Sequence, residues 1–170
     1  MKSKIRFLVT ASVIAALYAA TTLLCSLFGI AYGPIQFRVS EALTILPIFT
    51  PAAIPGLAVG CFIANINSFN PVDMVFGTLA TLSAASLTYL CRNVRIKGFP
   101  WLSFLPPILI NAVVIGLEIA LFFYDGDATL LGFGLAALEV GIGEAAVCIV
   151  LGTPLYFMIN KHREKLGIKE

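Results

Sequence analysis

Long apolar runs separated by short polar breaks dominate this chain. Runs suited to helices cover residues 6–28, 39–49, 53–66, 73–91, 101–124 and 129–159, and the breaks contain proline, glycine, asparagine or charge. The first run exceeds the ~7–15 apolar residues of a signal peptide and is long enough to cross a hydrocarbon core of about 30 Å. Runs 39–49 and 53–66 are shorter, so we expect short or tilted helices there. The pattern predicts six helices.

Composition places these helices in a membrane. Only 12% of the residues are charged and 59% are hydrophobic, whereas soluble proteins carry about 25% charged residues. A soluble fold of this length would have too few polar residues to cover its surface. We therefore predict an all-α integral membrane protein, with residues 1–170 forming a single six-helix bundle. The net charge of +2 gives no indication of nucleic-acid binding.

The basic residues orient the helices, because Lys and Arg concentrate in the cytoplasmic segments of membrane proteins. Ten of the eleven basic residues lie before the first helix, after the fourth or after the sixth. Six spans place these three clusters on one side, so we expect both termini to be cytoplasmic. Arg38 is then the only basic residue on the outer side.

Glu118, Glu139 and Glu144 lie inside the long predicted spans and are joined by asparagines, among them Asn111 and Asn65. Charged groups at bilayer depth are costly and usually face a bundle interior or a cavity. Asn111 and Glu118 share one helix face. At 1.5 Å per residue, Glu118 and Glu139 lie roughly 8 and 10 Å below the outer helix ends, and Asn111 and Glu144 roughly 18 Å. These two layers predict a pocket that opens outward; protonated carboxyl groups that hydrogen-bond between helices are the structural alternative.

The stretch GPIQFRVSEALTILP, residues 33–47, places Arg38 and Glu41 three residues apart at the start of a helix. The spacing allows an ion pair, and the helix dipole favours Glu41 in the first turn. This pair is either an anchor for the preceding loop or the hinge of a lid, with Glu41 or Gln36 contacting a ligand. Further candidate contacts at the same mouth are Tyr32, Phe37 and Asn67.

Small residues recur at four-residue spacing in two rows of the first helix, and Gly56 and Gly60 form a GxxxG pattern in the third. Such faces allow helices to approach closely. They serve either packing within the bundle or docking of a second membrane protein. The rows are Ala11, Ala15 and Ala19, and Ser12, Ala16 and Ala20.

The sequence does not indicate an enzyme active site or a metal site. The four cysteines are far apart and the single histidine lies in the C-terminal tail, so we predict no metal site. A membrane enzyme would need a nucleophile or a cluster of His and Asp. The chain has no GxxxxGK[ST] phosphate loop, so any ATP hydrolysis must come from a partner, and we expect no cofactor in this chain.

The six helices, the alanine rows, FRVSEALTILP and NINSFNPVDMVFGTLATLSAA together resemble the QueT family of queuosine-precursor transporters. These are S-components of energy-coupling factor (ECF) transporters, and the resemblance covers essentially the whole chain. It implies capture of a 7-deazaguanine base from outside, followed by uptake with a membrane coupling protein and two cytoplasmic ATPases that use ATP. The face toward the coupling protein would be Ala11, Ala15, Ala16, Ala19 and Ala20.

The intramembrane polar residues suit such a base. A guanine-like edge offers adjacent N–H donors to one carboxylate and a carbonyl oxygen to an amide. Glu118, Glu139 and Asn111, with Tyr32 or Phe37 against the ring, supply those groups. An S-component for another vitamin, such as thiamine or riboflavin, and a ligand-free membrane scaffold are the alternatives.

Overall fold

The structure, a computed structural model, describes residues 2–28, 38–66, 68, 71–122 and 129–164, and their regular structure is helical, as predicted. The bounds follow in chain order: α1, Lys2–Leu27; a 3-10 helix, Val39–Ile48; α2, Ala53–Ile66; α3, Pro71–Cys91; a short 3-10 turn, Trp101–Phe104; α4, Leu105–Phe122; α5, Leu130–Val147; a π-helical turn, Cys148–Gly152; and α6, Thr153–His162.

Four helical runs in the described part of the chain are long and apolar enough to cross a membrane. They are Ser3–Leu27, Pro71–Cys91, Trp101–Phe122 and Leu130–His162, and they agree closely with the first, fourth, fifth and sixth predicted spans. Large apolar side chains cover the outside of these helices. An outer surface of this kind needs lipid or a protein partner around it.

The two short predicted helices differ from each other. Residues 53–66 form the α-helix α2, whereas most of 39–49 is a 3-10 helix with Pro47 inside it. A proline has no N–H for the α-helical ladder. The apolar pattern of a buried segment does not distinguish the two helix types. The last predicted span is likewise interrupted by the π-helical turn.

The helices pack in chain order, with α1 against α2, α2 against α3, α3 against α4 and α4 against α5. The 3-10 helix contacts α1, α3 and the π-helical turn, and most of its residues are buried. Its polar side chains therefore need internal partners. One such contact joins it to α1, where Thr22 Oγ1 donates to Ser40 Oγ at 2.6 Å.

Helices α1 and α2 approach closely at the two glycines of the GxxxG pattern. A Cβ atom on Gly60 would lie 2.8 Å from the carbonyl oxygen of Ala15. Ala15 and Ala19 are buried, while Ala16 and Ala20 are exposed and Ala11 is half-buried. One alanine row thus packs within the bundle and the other faces outward.

Candidate functional site

A polar cavity lies between the 3-10 helix, α4 and α5. Its lining residues are Arg38, Glu41, Asn111, Ile115, Val140 and Glu144. Four of the site residues predicted from the sequence, Arg38, Glu41, Asn111 and Glu144, line this cavity. A fifth, Glu118, lies beside it.

Glu41 projects into the cavity from the first turn of the 3-10 helix. That turn begins with the hydrogen bond from Glu41 N–H to the Arg38 carbonyl oxygen at 2.9 Å. Because residues three apart eclipse each other in a 3-10 helix, Arg38 and Glu41 can line the same cavity. Glu41 Oε1 accepts a hydrogen bond from the Tyr18 hydroxyl group. Its Oε2 is buried and accepts none from the described residues.

Glu144 meets Asn111 across the α4–α5 interface. Asn111 Nδ2 donates to Glu144 Oε1 at 3.1 Å, which confirms the predicted common depth of these two residues. The Cys148 thiol lies 3.8 Å from Glu144 Oε1 and 3.9 Å from the Glu41 carbonyl oxygen. The Glu41 and Glu144 carboxyl groups are also within interaction range of each other. A hydrogen bond can join them only when one carries a proton.

Arg38 is the cation of this cluster. Its side chain is buried, and its guanidinium group is within electrostatic range of Glu41, Glu118 and Glu144. The predicted Arg38–Glu41 relationship is therefore part of a wider cluster of charges. Because taking charges out of water is costly unless they are compensated, one guanidinium group among three carboxyl groups leaves the cluster short of positive charge.

Glu118 lies next to the cavity rather than in its lining. It is one turn beyond Ile115 on α4, and only 1% of its surface is exposed. Neither carboxylate oxygen accepts a hydrogen bond from the described residues. Its carboxyl group interacts with that of Asp73, in the first turn of α3. Asn65 of α2 supports that turn, with Nδ2 donating to the Asp73 carbonyl oxygen at 2.9 Å.

The sequence places Glu118 and Glu139 in one layer near the outer helix ends. The structure does not bring these two side chains together. Glu139 is exposed on the outer side of α5, while its neighbour Val140 is buried in the cavity lining. Glu139 and Glu144 are five residues apart and point about 140° away from each other, so only one can face Asn111. Asp73 occupies the place beside Glu118. Tyr32, Phe37 and Asn67 lie outside the described residues.

Sequence reasoning missed Tyr18 and did not assign Asp73 to the site. Tyr18 is fully buried within an apolar helix, and a buried tyrosine hydroxyl group usually finds a hydrogen-bond partner. It follows Ala15 and precedes Thr22 at helical spacing, on the face that packs inward. That spacing was the available signal. No group of three potential metal ligands from His, Cys, Asp and Glu occurs among the described residues.

Comparison with known proteins assigns the chain to a family. The family model described as "QueT transporter" matches residues 8–161. The chain belongs to the QueT transporter family. A QueT family relative, the queuosine precursor transporter QueT of Lactococcus lactis subsp. cremoris (strain MG1363), is 45% identical over 100 residues. That match covers 59% of this chain and 59% of the relative. No solved structure matches the chain.

The lining of the polar cavity combines three kinds of chemical group. Glu41 and Glu144 offer carboxylate acceptors, and Arg38 and Asn111 carry N–H donors. Ile115 and Val140 supply apolar surface. Polar groups that converge beside apolar surface are a feature of sites that orient a small molecule.

Proposed function

We propose that this chain is the substrate-binding S-component of an ECF importer and captures a queuosine precursor, a 7-deazaguanine base, from outside the cell. Family membership supports the transport role, and the name of the Lactococcus relative supports the substrate class. The observation that carries the proposal is the cavity in which Arg38, Glu41, Asn111 and Glu144 converge inside an apolar bundle.

The cavity offers complementary groups for each part of such a base. Glu41 Oε2 is buried without a described donor, and Glu144 lies beside it, so adjacent N–H groups of the base edge have acceptors. Arg38 is a donor type that suits the ring carbonyl oxygen. Ile115 and Val140 suit the flat ring faces.

The membrane topology of the proposal follows from the basic residues. The three basic clusters favour a multi-pass protein of the cell membrane with both termini cytoplasmic. The cavity then receives its ligand from the outer side. The two cytoplasmic ATPases supply the energy, and this chain contributes substrate binding alone.

The proposed partner in the membrane is the ECF coupling protein. The exposed Ala16 and Ala20 lie on the side of α1 that does not pack on α2, and small side chains there permit close helix contact. Ala15 and Ala19 are buried against the bundle. Within the alanine face predicted from the sequence, the row of Ala16 and Ala20 is therefore the docking row we propose.

Ligand binding by the purified chain tests the substrate. The chain in nanodiscs is titrated with a 7-deazaguanine precursor, guanine, thiamine and riboflavin, and we expect saturable binding of the deazaguanine. Arg38→Met should weaken that binding at least tenfold, whereas Arg92→Met, which removes a guanidinium group stacked on Tyr89, should leave it unchanged. Binding of thiamine or riboflavin alone would show that this chain is an S-component for that vitamin. Saturable binding by none of the four would favour a scaffold.

A further inference from the structure

A short hairpin joins α3 to the next membrane-spanning run. Ile96 N–H donates to the Phe99 carbonyl oxygen at 3.0 Å, and Phe99 N–H donates to the Ile96 carbonyl oxygen at 3.2 Å. Lys97 and Gly98 form the turn between them, with φ angles of 53° and 81°. Asparagine, aspartate and glycine are the residues favoured in such two-residue turns, so backbone preference does not explain the lysine at this position.

An aromatic cluster holds the hairpin against the bundle. Centroid distances from the Phe99 ring are 4.6 Å to Trp101, 5.2 Å to Phe104, 5.1 Å to Tyr156 and 5.6 Å to Phe157. Aromatic rings at such separations attract each other. Because Tyr156 and Phe157 belong to α6, the hairpin is fixed to a second helix and has a defined place at this end of the bundle.

Exposed apolar side chains surround this hairpin. Val94 is 48% exposed, Ile96 57% and Trp101 54%. The apolar runs on either side end at Cys91 and begin at Trp101, so these side chains lie at the level where the membrane-spanning segments meet the surroundings. Tryptophan is enriched at that level of a bilayer. Lipid there removes from water the apolar surface that the hairpin leaves exposed.

The charge of the same segment is entirely positive. Residues 74–117 contain no acidic residue, and their basic residues are Arg92, Arg95 and Lys97. Arg95 and Lys97 are exposed. Lys161 is exposed as well and lies about one turn beyond the aromatic cluster on α6. Basic side chains at a membrane surface attract anionic headgroups, so the charge of the hairpin favours an anionic lipid over a zwitterionic one.

We propose that the hairpin and Trp101 bind an anionic phospholipid, with its phosphate group against Arg95 and Lys97 and its acyl chains against Ile96 and Trp101. A soluble anion would use the two cations alone and would leave the apolar side chains exposed. Lys97 then has a role at the tip of the turn, because it adds a cation where the usual turn residues add none. The lipid site is separate from the ligand cavity and goes beyond the proposed function.

Fluorescence of the single tryptophan of the chain, Trp101, tests the lipid site. The chain is placed in nanodiscs made from an equal mixture of phosphatidylcholine and phosphatidylglycerol, with bromine in the upper acyl chains of one lipid or the other. Bromine quenches tryptophan only at short range. At low ionic strength we expect brominated phosphatidylglycerol to quench Trp101 at least twofold more strongly than brominated phosphatidylcholine. High salt should reduce the difference, because it screens charges at the membrane surface.

Two double variants locate the site. Arg95→Gln with Lys97→Asn should abolish the difference between the lipids, and asparagine tolerates the left-handed conformation of residue 97, so the turn is kept. Lys4→Gln with Arg6→Gln removes the same charge from exposed positions at the start of α1 and should retain the twofold difference.

The other outcomes overturn the proposal. Equal quenching by both lipids in the unmodified chain shows that no anionic lipid is preferred beside Trp101. Equal loss of the difference in both double variants shows attraction by the overall charge, and a difference that survives both places the lipid elsewhere. Weaker copurification of the hairpin variant with the coupling protein, without any lipid preference in the unmodified chain, identifies a protein as the occupant. None of these results bears on the proposed function, because no ligand is present.

Discussion

The Tyr18 hydroxyl group, on α1, donates a hydrogen bond to Glu41 Oε1 in the 3-10 helix. The same side chain packs against α2, since a Cβ atom on Gly60 would lie 2.8 Å from Tyr18 Cβ. One turn further along α1, Thr22 bonds to Ser40. Helix α1 thus supports the cavity from outside its lining, and Tyr18 is a positioning residue for Glu41.

Replacing Tyr18 with phenylalanine removes only this hydroxyl group. Glu41 Oε1 then loses its donor, and an unsatisfied buried acceptor costs about 1–3 kcal/mol. We expect Tyr18→Phe to lower the unfolding temperature and to weaken binding of the 7-deazaguanine base several-fold, because Glu41 is no longer fixed. Thermal unfolding and titration of the purified chain measure the two effects.

Tyr89→Phe is the matched control for Tyr18→Phe. The Tyr89 ring holds the Arg92 guanidinium group at 3.7 Å from its centroid, a contact that phenylalanine retains. Unfolding temperature and affinity should both stay near those of the unmodified chain. An equal decrease of unfolding temperature and affinity in Tyr18→Phe and Tyr89→Phe would contradict the role given to the Tyr18 hydroxyl group.

The long helices could be predicted from the sequence because bilayer thickness fixes the length of an apolar run. The common level of Asn111 and Glu144 could be predicted as well, since depth follows from residue counts along straight helices. The 3-10 geometry of Val39–Ile48 could not. Its buried apolar residues carry no polar face from which a helical period could be read.

A close contact between α1 and α2 depends on the missing side chain of Gly60. In Gly60→Ala the new Cβ atom would lie 2.8 Å from the Ala15 carbonyl oxygen, so the two helices must separate. Overpacking of this kind costs about 1–3 kcal/mol, and we expect a lower unfolding temperature. Gly134→Ala is the control, because nothing lies within 4 Å of a Cβ atom there, and it should not lower the unfolding temperature. Equal stability of the two variants would contradict the packing.

Glu144 and Glu139 both lie on α5 and were both predicted as ligand contacts, but only Glu144 lines the cavity. Glu144→Gln keeps an oxygen for Asn111 but replaces the other carboxyl oxygen with an NH2 donor, which cannot accept from the base, and we expect binding to weaken about tenfold, or about 1.4 kcal/mol. Glu139→Gln should change affinity less than twofold because Glu139 is exposed. Titration of both variants decides. A tenfold loss of affinity in Glu139→Gln alone would instead support the sequence-based prediction that Glu139 contacts the ligand.

The error on Glu139 has a physical cause. Residues around α5 are apolar on the lipid side as well as on the protein side, so their pattern does not fix the rotation of the helix about its axis. Depth then places Glu118 and Glu139 at one level, but rotation decides which side chains meet. Close contact between α4 and α5 at Gly116, where a Cβ atom would lie 2.7 Å from Ala137 Cα, sets the rotation that turns Glu144 inward.

The two alanine rows of α1 give opposite expectations for a bulky substitution. Ala16→Trp adds volume at an exposed position, so the isolated chain should bind its ligand with affinity changed less than twofold. In proteoliposomes with the coupling protein and ATPases, uptake should fall at least tenfold because the helices can no longer approach closely. Ala15→Trp adds volume at a buried position against Gly60 and should impair folding and ligand binding together.

Val113→Trp, on the exposed side of α4, is the control for bulk at the surface of the bundle and should preserve both binding and uptake. Copurification of each variant with the coupling protein identifies the step that fails. Undiminished uptake and copurification of Ala16→Trp would place the docking face on another helix. A loss of ligand binding in Ala16→Trp would instead show that this row stabilises the bundle. The decisive result is therefore loss of uptake with ligand binding retained, because only a substitution at a docking position has this effect.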